Sequence, residues 1–535
     1  MKAAMKIAIR TAFVPNRFFS AGALERAVVF VTALGSFFAL VALTGCHPGP
    51  KYQPPAPPAH LPASYKESTV HFADAPGWKV AAPSAPMLTG DWWRVYHDEQ
   101  LNQLEAELDI NNQNIREYFQ NFLAARAIVA EQRAGLWPTL TAKPSWNRQK
   151  ASGNLANTYN TGSGSRVGTN SGQKSTILSL PFDASWTPDL WGEVRNEIRS
   201  AEYGAQVSAA QLASEKLTEQ ASLAVFYFEL RGQDARTALL RETVVADQKA
   251  YAVNLASYRV GIGDAISVVE AKSTLESAEA QLTNLSLARA QYEHAIALLL
   301  GKVASSFSLP VRPGLFAPPP IPLGMPSELL ERRPDIAASE RTLAEDNAKI
   351  GIGYGAFFPS VTLSAEGGWE SSTWKHWLDW PSRFWSIGPS ISQTIFNGGL
   401  YRADLDQYTA IYNADLASYR ETVLTAFEQV EDNLAATRIY SQQILEQKAA
   451  LADAERVLAM EQSRYRLGLD PYLDVITDQT AVLTAQQTLA ELRVEQMTAS
   501  VQLVEALGGG WSRAELPTPK QVGAKVPKSE YRLEH

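Results

Sequence analysis

The chain is poor in the residues that usually build disulfide frameworks and metal sites. Cys46 is the only cysteine among 535 residues, which excludes intramolecular disulfides and leaves packing to hold the fold. The seven histidines are scattered, without an HExxH motif or any paired spacing suited to a metal ion. A phosphate-binding lysine loop and a nucleophile elbow are also missing. The sequence therefore predicts no enzyme, no catalytic residue, no metal site and no bound cofactor.

Positive charge is scarce as well. The formal net charge is -8 and the isoelectric point is about 5.6. Nucleic-acid binders need a basic face that displaces phosphate counterions, so this balance argues against nucleic acid as a partner. The apolar fraction of 45% is nevertheless enough for a sizeable core.

One long apolar run is present, Ala27–Leu43, and it follows five basic residues, as in a secretory signal. It ends in Leu43-Thr44-Gly45-Cys46, which resembles a bacterial lipobox. We therefore expect residues 1–45 to be removed and Cys46 to carry covalent lipid, whose several acyl chains anchor the protein stably. Residue 47 is His rather than Asp, which in bacterial lipoproteins that this segment resembles favours transfer to the outer membrane. The alternative is a transmembrane anchor, for which the run is near the lower limit of length.

Proline is unevenly distributed. Residues 46–88 contain many prolines and no helical periodicity, which predicts an extended tether. No proline interrupts Glu193–Arg259, where one continuous helix would be roughly 100 Å long at 1.5 Å per residue. In the matching helix of the second half, apolar residues with 3–4 spacing predict a coiled-coil seam. Its members are Leu416, Tyr419, Val423, Ala426 and Val430.

The chain repeats itself. Tyr258–Val269 reads YRVGIGDAISVV, and Tyr465–Ile476, 207 positions later, reads YRLGLDPYLDVI. Earlier positions pair at an offset of 221, so the first copy has 14 more residues, which we place in the loop of its hairpin. Two such copies must build the same substructure and pack together. The predicted parts are a signal at 1–45, a tether at 46–88, a first copy at 89–310, a second copy at 311–512 and a tail at 513–535.

Each copy contains two segments in which apolar and polar residues alternate, the signal of β-strands. The segments lie within 139–187 and 360–396, separated by predicted loops at Lys150–Lys174 and Ser371–Arg383. Strands with one apolar face and aromatic ends suit a transmembrane β-barrel, and a soluble sandwich is the alternative. Four strands cannot close a barrel, and open sheet edges do not survive in lipid. A membrane sheet would therefore require several chains.

These features together resemble the TolC family of outer-membrane efflux channels, in the lipoprotein branch called OprM-like or NodT. The resemblance covers the whole mature chain. It is carried by Asp91-Trp92-Trp93, by Leu329–Ile336, by Phe357-Phe358-Pro359-Ser360, by Ile395–Gly399 and by the two repeated turns. The run Arg332-Arg333-Pro334-Asp335 is highly specific to that branch.

The resemblance implies an α+β membrane protein. Three chains would each contribute four strands to one twelve-stranded transmembrane β-barrel, continued by a long α-helical coiled-coil barrel in the periplasm. The implied partners are two further copies in a homotrimer, outer-membrane lipid, a periplasmic adaptor and an inner-membrane pump. The expected function is a passive conduit for drugs or other small toxic compounds in a tripartite, RND-type efflux system. Two alternatives stay open: a TolC-like channel for type I protein secretion, and a periplasmic coiled-coil adaptor.

The resemblance also assigns roles to the two repeated turns. It implies that Val260-Gly261-Ile262 and Leu467-Gly468-Leu469 contact the adaptor. The alternative is that these residues only reverse the chain, with glycine supplying the permissive backbone and apolar neighbours acting as staples.

A periplasmic gate is implied just beyond the second turn. A ring of carboxylates there would attract cations and oppose anions, whereas the alternative is a solvated acidic helix face. Asp470 stands where some relatives have an arginine that locks the closed channel, so that lock is not implied for this chain. The predicted gate residues are Tyr465, Leu473, Asp474 and Asp478.

Overall fold

The structure is a computed structural model that describes residues 49–58, 65–67, 90–150, 152, 156–161, 164–169, 174–314, 317–321, 326–527 and 530. The predicted signal peptide and Cys46 lie outside the described residues, so their predictions stay untested. Among the described residues, no helix combines enough length with enough apolar character to cross a membrane.

Helices dominate the chain, and the long ones come in pairs of equal length. The pairs have 22, 67 and 35 residues, and they are related by the offsets of 221 and 207 that the sequence shows. The duplication is therefore a duplication of structure. The helices are α1 (Glu99–Asn111), α2 (Gln113–Ala134), α3 (Glu193–Arg259), α4 (Ala265–Leu299), α5 (Leu329–Arg332), α6 (Pro334–Gly355), α7 (Leu400–Arg466), α8 (Tyr472–Ala506) and α9 (Pro519–Val522).

The chain divides into two compact units, and each unit takes segments from both copies. One unit contains Pro138–Arg195 and Tyr354–Phe396, and with them the strands. The other contains Pro50–Trp137, Asn196–Gly353 and Asn397–His535, and with them most of the helical residues. The strands are β1 (Thr139–Ala142), β2 (Ser145–Lys150), β3 (Ala156–Thr161), β4 (Gly164–Thr169), β5 (Lys174–Trp186), β6 (Ser360–Ser371) and β7 (Arg383–Ser392).

The main sheet is antiparallel and runs in the order β1-β5-β6-β7, with β2 continuing along the same side of β5. Its register confirms the predicted alternation, because apolar residues of the four strands β1, β5, β6 and β7 lie directly opposite one another and form a row across the sheet. Leu140 pairs with Ala184, Ala184 with Ala365, and Ala365 with Ile387. The neighbouring row is polar, with Asp183 opposite Glu366.

One loop prediction is wrong. The segment Lys150–Lys174 is not a plain loop, because β3 and β4 pair within it as a separate two-stranded sheet. Its Gly, Ser, Asn and Thr residues suit tight turns, and alternation is too weak there to indicate strands. The second loop behaves as predicted, apart from two short 3-10 turns at Trp374–His376 and Trp380–Ser382.

The predicted seam on α7 is confirmed. Val423, Ala426 and Val430 are fully buried, Tyr419 is 5% exposed, and Leu416 packs beside them. They meet Ile336 and Leu343 of α6 in one cluster and Leu503 of α8 in another. Ridges of small and branched side chains at this spacing are what close helix packing requires.

In each copy, a glycine that follows the 35-residue helix lies against a backbone carbonyl just before the 22-residue helix. Gly301 and Gly508 have positive φ angles of 64° and 94°, and an added Cβ would strike the backbone carbonyls of Asn111 and Arg332, respectively. Next to these contacts, Asn112 Nδ2 donates to Leu299 O at 2.9 Å and Arg333 Nη1 donates to Ala506 O at 2.9 Å. The arginine-proline-aspartate run thus joins the start of α6 to the end of α8.

The described parts of the predicted tether, residues 49–58 and 65–67, form no helix or strand, and they contact the body. Pro50 O accepts from Asn347 Nδ2 at 3.0 Å, and Tyr52 Oη donates to Glu340 O at 3.1 Å. Farther along, the Tyr65 ring is 2% exposed within a core cluster. These aromatic and backbone contacts fasten the segment against α6 and α7, and proline composition alone does not reveal them.

Candidate functional site

The α3–α4 and α7–α8 hairpins end in the same kind of turn. Gly261 and Gly468 take left-handed conformations, with φ angles of 80° and 73°. One residue later, the backbone N–H of Ile262 donates to Ser257 O at 3.0 Å, and that of Leu469 donates to Arg464 O at 3.0 Å. This is the Schellman arrangement, in which glycine avoids the steric cost of a Cβ and the last carbonyls of the helix are satisfied.

The apolar residues of both tips point into solvent. Val260 is 72% exposed and Ile262 is 82% exposed. Leu467 and Leu469 are 74% and 65% exposed. Because these side chains are not packed as staples, they offer an apolar surface at each tip.

An ion pair crosses the second tip. The guanidinium of Arg464, in the last turn of α7, donates through Nε and Nη2 to the two carboxylate oxygens of Asp470, the Nη2–Oδ1 distance being 3.0 Å. This pairing lowers the pKa of Asp470 and raises that of Arg464. Glu461 lies beside the pair, and desolvation together with a hydrogen bond to Asp470 raises its pKa. In the sequence, Asp470 stands out only as a position where a locking arginine is absent. In the structure, Asp470 bridges the turn by pairing with Arg464 of the same chain.

The two hairpins are joined by packing just above the tips. Tyr472 and Val475 of α8 are buried against Ala271 of α4. Tyr465 Oη donates to Asn254 Oδ1 of α3 at 3.0 Å, and its ring lies 5.3 Å from that of Tyr472. Burial raises the pKa of Tyr472 to about 12, so its hydroxyl stays protonated under physiological conditions.

The predicted gate residues do not all come together. Asp474 is exposed and shares a group with Glu461 and Asp470, in which one oxygen of each carboxylate lies within 4.8 Å of the others. Asp478 is half-buried one turn farther along α8 and is outside that group. Leu473 is 50% exposed on the same helix. The structure therefore places Asp474 at the tip cluster and Asp478 above it.

Sequence reasoning missed Arg464, Glu461 and Asn254. A signal for the first was present in the duplication, because Ser257 and Gly263 stand where the second copy has Arg464 and Asp470. A charged pair that appears in one copy only is a departure from the repeat that deserves a functional explanation. Asn254 has no such signal, since only the fold brings it to Tyr465.

The comparisons with known proteins agree with this architecture. The family model described as outer membrane efflux protein matches residues 105–302 and 325–509. A probable efflux pump outer membrane protein of Pseudomonas putida, TtgC, is 31% identical over 489 residues, covering 91% of this chain and 97% of TtgC. The outer membrane protein OprJ of Pseudomonas aeruginosa is 32% identical over 496 residues, covering 90% and 96%.

A solved structure shows the same fold. The outer-membrane channel OprN superposes with a TM-score of 0.75 at 26% identity, covering 87% of this chain and all of the OprN chain. The match spans both copies of the repeat, and the family model does so too. The chain therefore belongs to the outer membrane efflux protein family, whose members are outer-membrane channels of efflux pumps.

Proposed function

We propose that this protein is the passive exit duct of a tripartite efflux system, built as a homotrimer and anchored through lipid on Cys46. The observation that carries the proposal is the open-edged antiparallel sheet. Among the described strands, β1 and β7 each pair along one side only, while the apolar row of the sheet continues from β1 to β7.

Lipid does not tolerate unpaired strand edges, so a sheet of this kind is stable there only if its edges are paired. Counting β1 and β2 as one strand, each protomer supplies four strands, and three protomers supply twelve. On this proposal the exposed apolar side chains of the sheet face lipid. Leu140, Trp385, Ile387 and Ile391 are each more than 70% exposed in the single chain.

The helical tips supply the second part of the proposal. Their exposed apolar side chains, Val260, Ile262, Leu467 and Leu469, form the contact surface for a periplasmic adaptor that connects the duct to an inner-membrane pump. Tyr465, Leu473, Asp474 and Asp478 form the gate beside this surface. On this proposal, the energy for transport comes from the pump.

Small toxic compounds are the proposed cargo. The names of relatives mention antibiotics, for ArpC, and toluene, for a TtgC protein, both of Pseudomonas putida. Transfer of that cargo class to this chain rests on relatives of about 31% identity and is part of the proposal.

Disulfide trapping tests the closed barrel. Cys46 is the only native cysteine, so single pairs can be introduced cleanly. We expect L140C combined in turn with W385C, I387C or I391C to give covalently linked trimers for at least one pair. T141C faces the polar row and is the matched control, which should not crosslink with the same partners. Only monomers in detergent, with no crosslinks in any pair, would contradict the proposal.

Complementation tests the efflux role. In a strain that lacks its own channel but keeps the adaptor and pump, the full chain should restore resistance to small toxic compounds. Replacing Ile262 and Leu469 by aspartate should abolish that rescue while leaving the trimer intact. A rescue unaffected by both changes would remove the tips from adaptor binding.

A further inference from the structure

A small polar hollow lies between α3, α4 and α8, farther from the hairpin tips than the proposed gate residues. Its volume is about 260 Å³, and its lining is rich in hydroxyl and amide groups. Among the described residues that line it, the only carboxylate is that of Asp247 in α3, three to four turns before the first tip. This hollow is not part of the tip cluster, and the proposed function makes no use of it.

Asp247 is buried without full compensation. Its residue is 2% exposed, and Oδ1 accepts from Gln479 Nε2 of α8 at 2.8 Å. Its other oxygen, Oδ2, is buried and has no hydrogen-bond partner in the part of the chain that the structure describes. A buried carboxylate oxygen that lacks a hydrogen-bond partner has lost its hydration without compensation. Such a group calls for a ligand.

The three threonine hydroxyls that line the hollow donate their protons to carbonyls of their own helices. Thr243 Oγ1 donates to Leu239 O at 3.2 Å, as part of a regular helix contact. Thr274 Oγ1 donates to Glu270 O at 3.0 Å, and Thr480 Oγ1 donates to Ile476 O at 2.8 Å. With their single protons committed to helix carbonyls, these oxygens retain only acceptor capacity. The hollow therefore presents acceptors from three helices and lacks free hydroxyl donors among these threonines.

We propose that this hollow binds a monovalent alkali cation, Na⁺ or K⁺, between Asp247 and the threonine hydroxyls of α4 and α8. Carboxylate, hydroxyl and amide oxygens are the ligands that hard cations prefer. A single carboxylate among neutral oxygens balances one positive charge, which favours a monovalent over a divalent ion. The ion ties the first hairpin to the second, because its ligands come from α3, α4 and α8.

The competing occupant is a proton. Burial raises the pKa of Asp247, which is consistent with a carboxylate that needs either a cation or a proton. The site belongs to one copy of the repeat only, since Ala454 stands at the position that corresponds to Asp247.

Thermal unfolding of the full-length channel in detergent tests the site. The unfolding midpoint in NaCl or KCl should exceed that in choline chloride at equal ionic strength, and D247N should lose this difference. T480V, which removes one hydroxyl ligand at nearly constant volume, should shift the cation dependence to higher concentration. D453N is the matched control, because Asp453 pairs with Arg456 at an exposed position on α7, and it should keep the wild-type response.

Anomalous diffraction provides a second readout with a defined probe. Crystals of the wild-type protein soaked in thallium(I), a substitute for K⁺, should show a peak next to Asp247 Oδ2 that is lost in D247N. Equal midpoints in alkali and choline chlorides, without such a peak, would overturn the inference and assign a proton to Asp247. A cation response that D247N retains would overturn it as well.

Discussion

The guanidinium of Arg464 forms two hydrogen bonds with the carboxylate of Asp470 across the turn at Gly468, and the first copy has no equivalent of this pair. The corresponding residues there are Ser257 and Gly263, and an added Cβ on Gly263 would lie 3.0 Å from Ser257 Cβ. The second tip is thus fastened by charge, whereas the first is closed by backbone contact. This difference suggests that the two hairpins respond differently to whatever opens the channel.

Breaking that pair should loosen the second tip without unfolding the protein. Arg464 is 57% exposed at its side chain, so the pair contributes little to global stability. We expect D470N to raise the conductance of single channels in planar bilayers while the unfolding midpoint stays unchanged. D453N, which breaks an exposed pair on the same helix, should change neither quantity. Wild-type conductance in D470N would show that the pair does not restrain the proposed gate.

Acidification should tighten the same tip. The pKa of Glu461 is raised, so the folded protein binds this proton more strongly than the unfolded chain does. Stability from this group is therefore absent above the raised pKa and appears as the pH falls through it. The lowered pKa of Asp470 keeps its pair with Arg464 intact over that window. Conductance should fall as Glu461 takes up its proton, and E461Q should remove this step.

The Tyr465–Asn254 hydrogen bond should couple the two hairpins. Y465F removes one hydrogen bond between the half-buried Tyr465 and the buried Asn254, which costs about 1 kcal/mol of local stability. Amide hydrogen exchange near the ends of α3 and α7 should become faster in this variant. Y258F makes the same change at the repeat-equivalent position, where the ring is 48% exposed, and should have a smaller effect. Equal exchange in both variants would argue against the coupling.

The glycine that ends α4 should resist substitution for steric reasons as well as conformational ones. Gly301 and Gly398 have φ angles of 64° and 65°, so alanine at either position has a similar backbone cost of about 1 kcal/mol. Only Gly301 would bring its Cβ to 2.6 Å from Asn111 O, whereas Gly398 faces open space. G301A should therefore lower the unfolding midpoint and the yield of folded channel well beyond G398A. Equal losses of midpoint and yield in G301A and G398A would show that the backbone φ angle accounts for the whole cost and that the contact with Asn111 adds nothing.

Breaking a buried ion pair in the first copy should lower the free energy of unfolding more than breaking the neutral hydrogen bond at the equivalent place in the second copy. Asp234 accepts from Arg231 and Arg289 at 2.8 Å each and is fully buried. D234N should cost about 3–5 kcal/mol, because two guanidinium groups lose their compensation. At the equivalent positions Gln496 donates to Ser441 at 2.7 Å, and S441A should cost about 1 kcal/mol. Chemical unfolding in detergent measures both values.

The sequence predicts the helices and the repeat well because both depend on periodic patterns. The seam through Tyr419 and Val430, the turns at Gly261 and Gly468, and the strand alternation around Ala365 are all in place. The family motifs add the channel architecture, which periodicity alone leaves open. The prediction is weakest where a structure depends on contacts between residues far apart in the chain.

Two elements show why the remainder escaped prediction. The β3–β4 hairpin consists mostly of small polar residues whose pattern does not differ from a loop, and pairing rather than composition creates its strands. The Tyr465–Asn254 bond joins residues 211 positions apart, so no local spacing signals it. Arg464 was visible in the sequence, but its role depends on the turn that brings Asp470 back to it.

The hydrogen bond between Pro50 and Asn347 limits how far Cys46 can lie from α6. A chain extends at most about 3.6 Å per residue, so the proposed acyl group on Cys46 would be held within roughly 15 Å of the Pro50 carbonyl. On the proposed lipidation, α6 is therefore linked to the lipid by a short connection. Insertion of a flexible segment between His47 and Gly49 would lengthen that connection and keep the lipid attached without holding it close to α6.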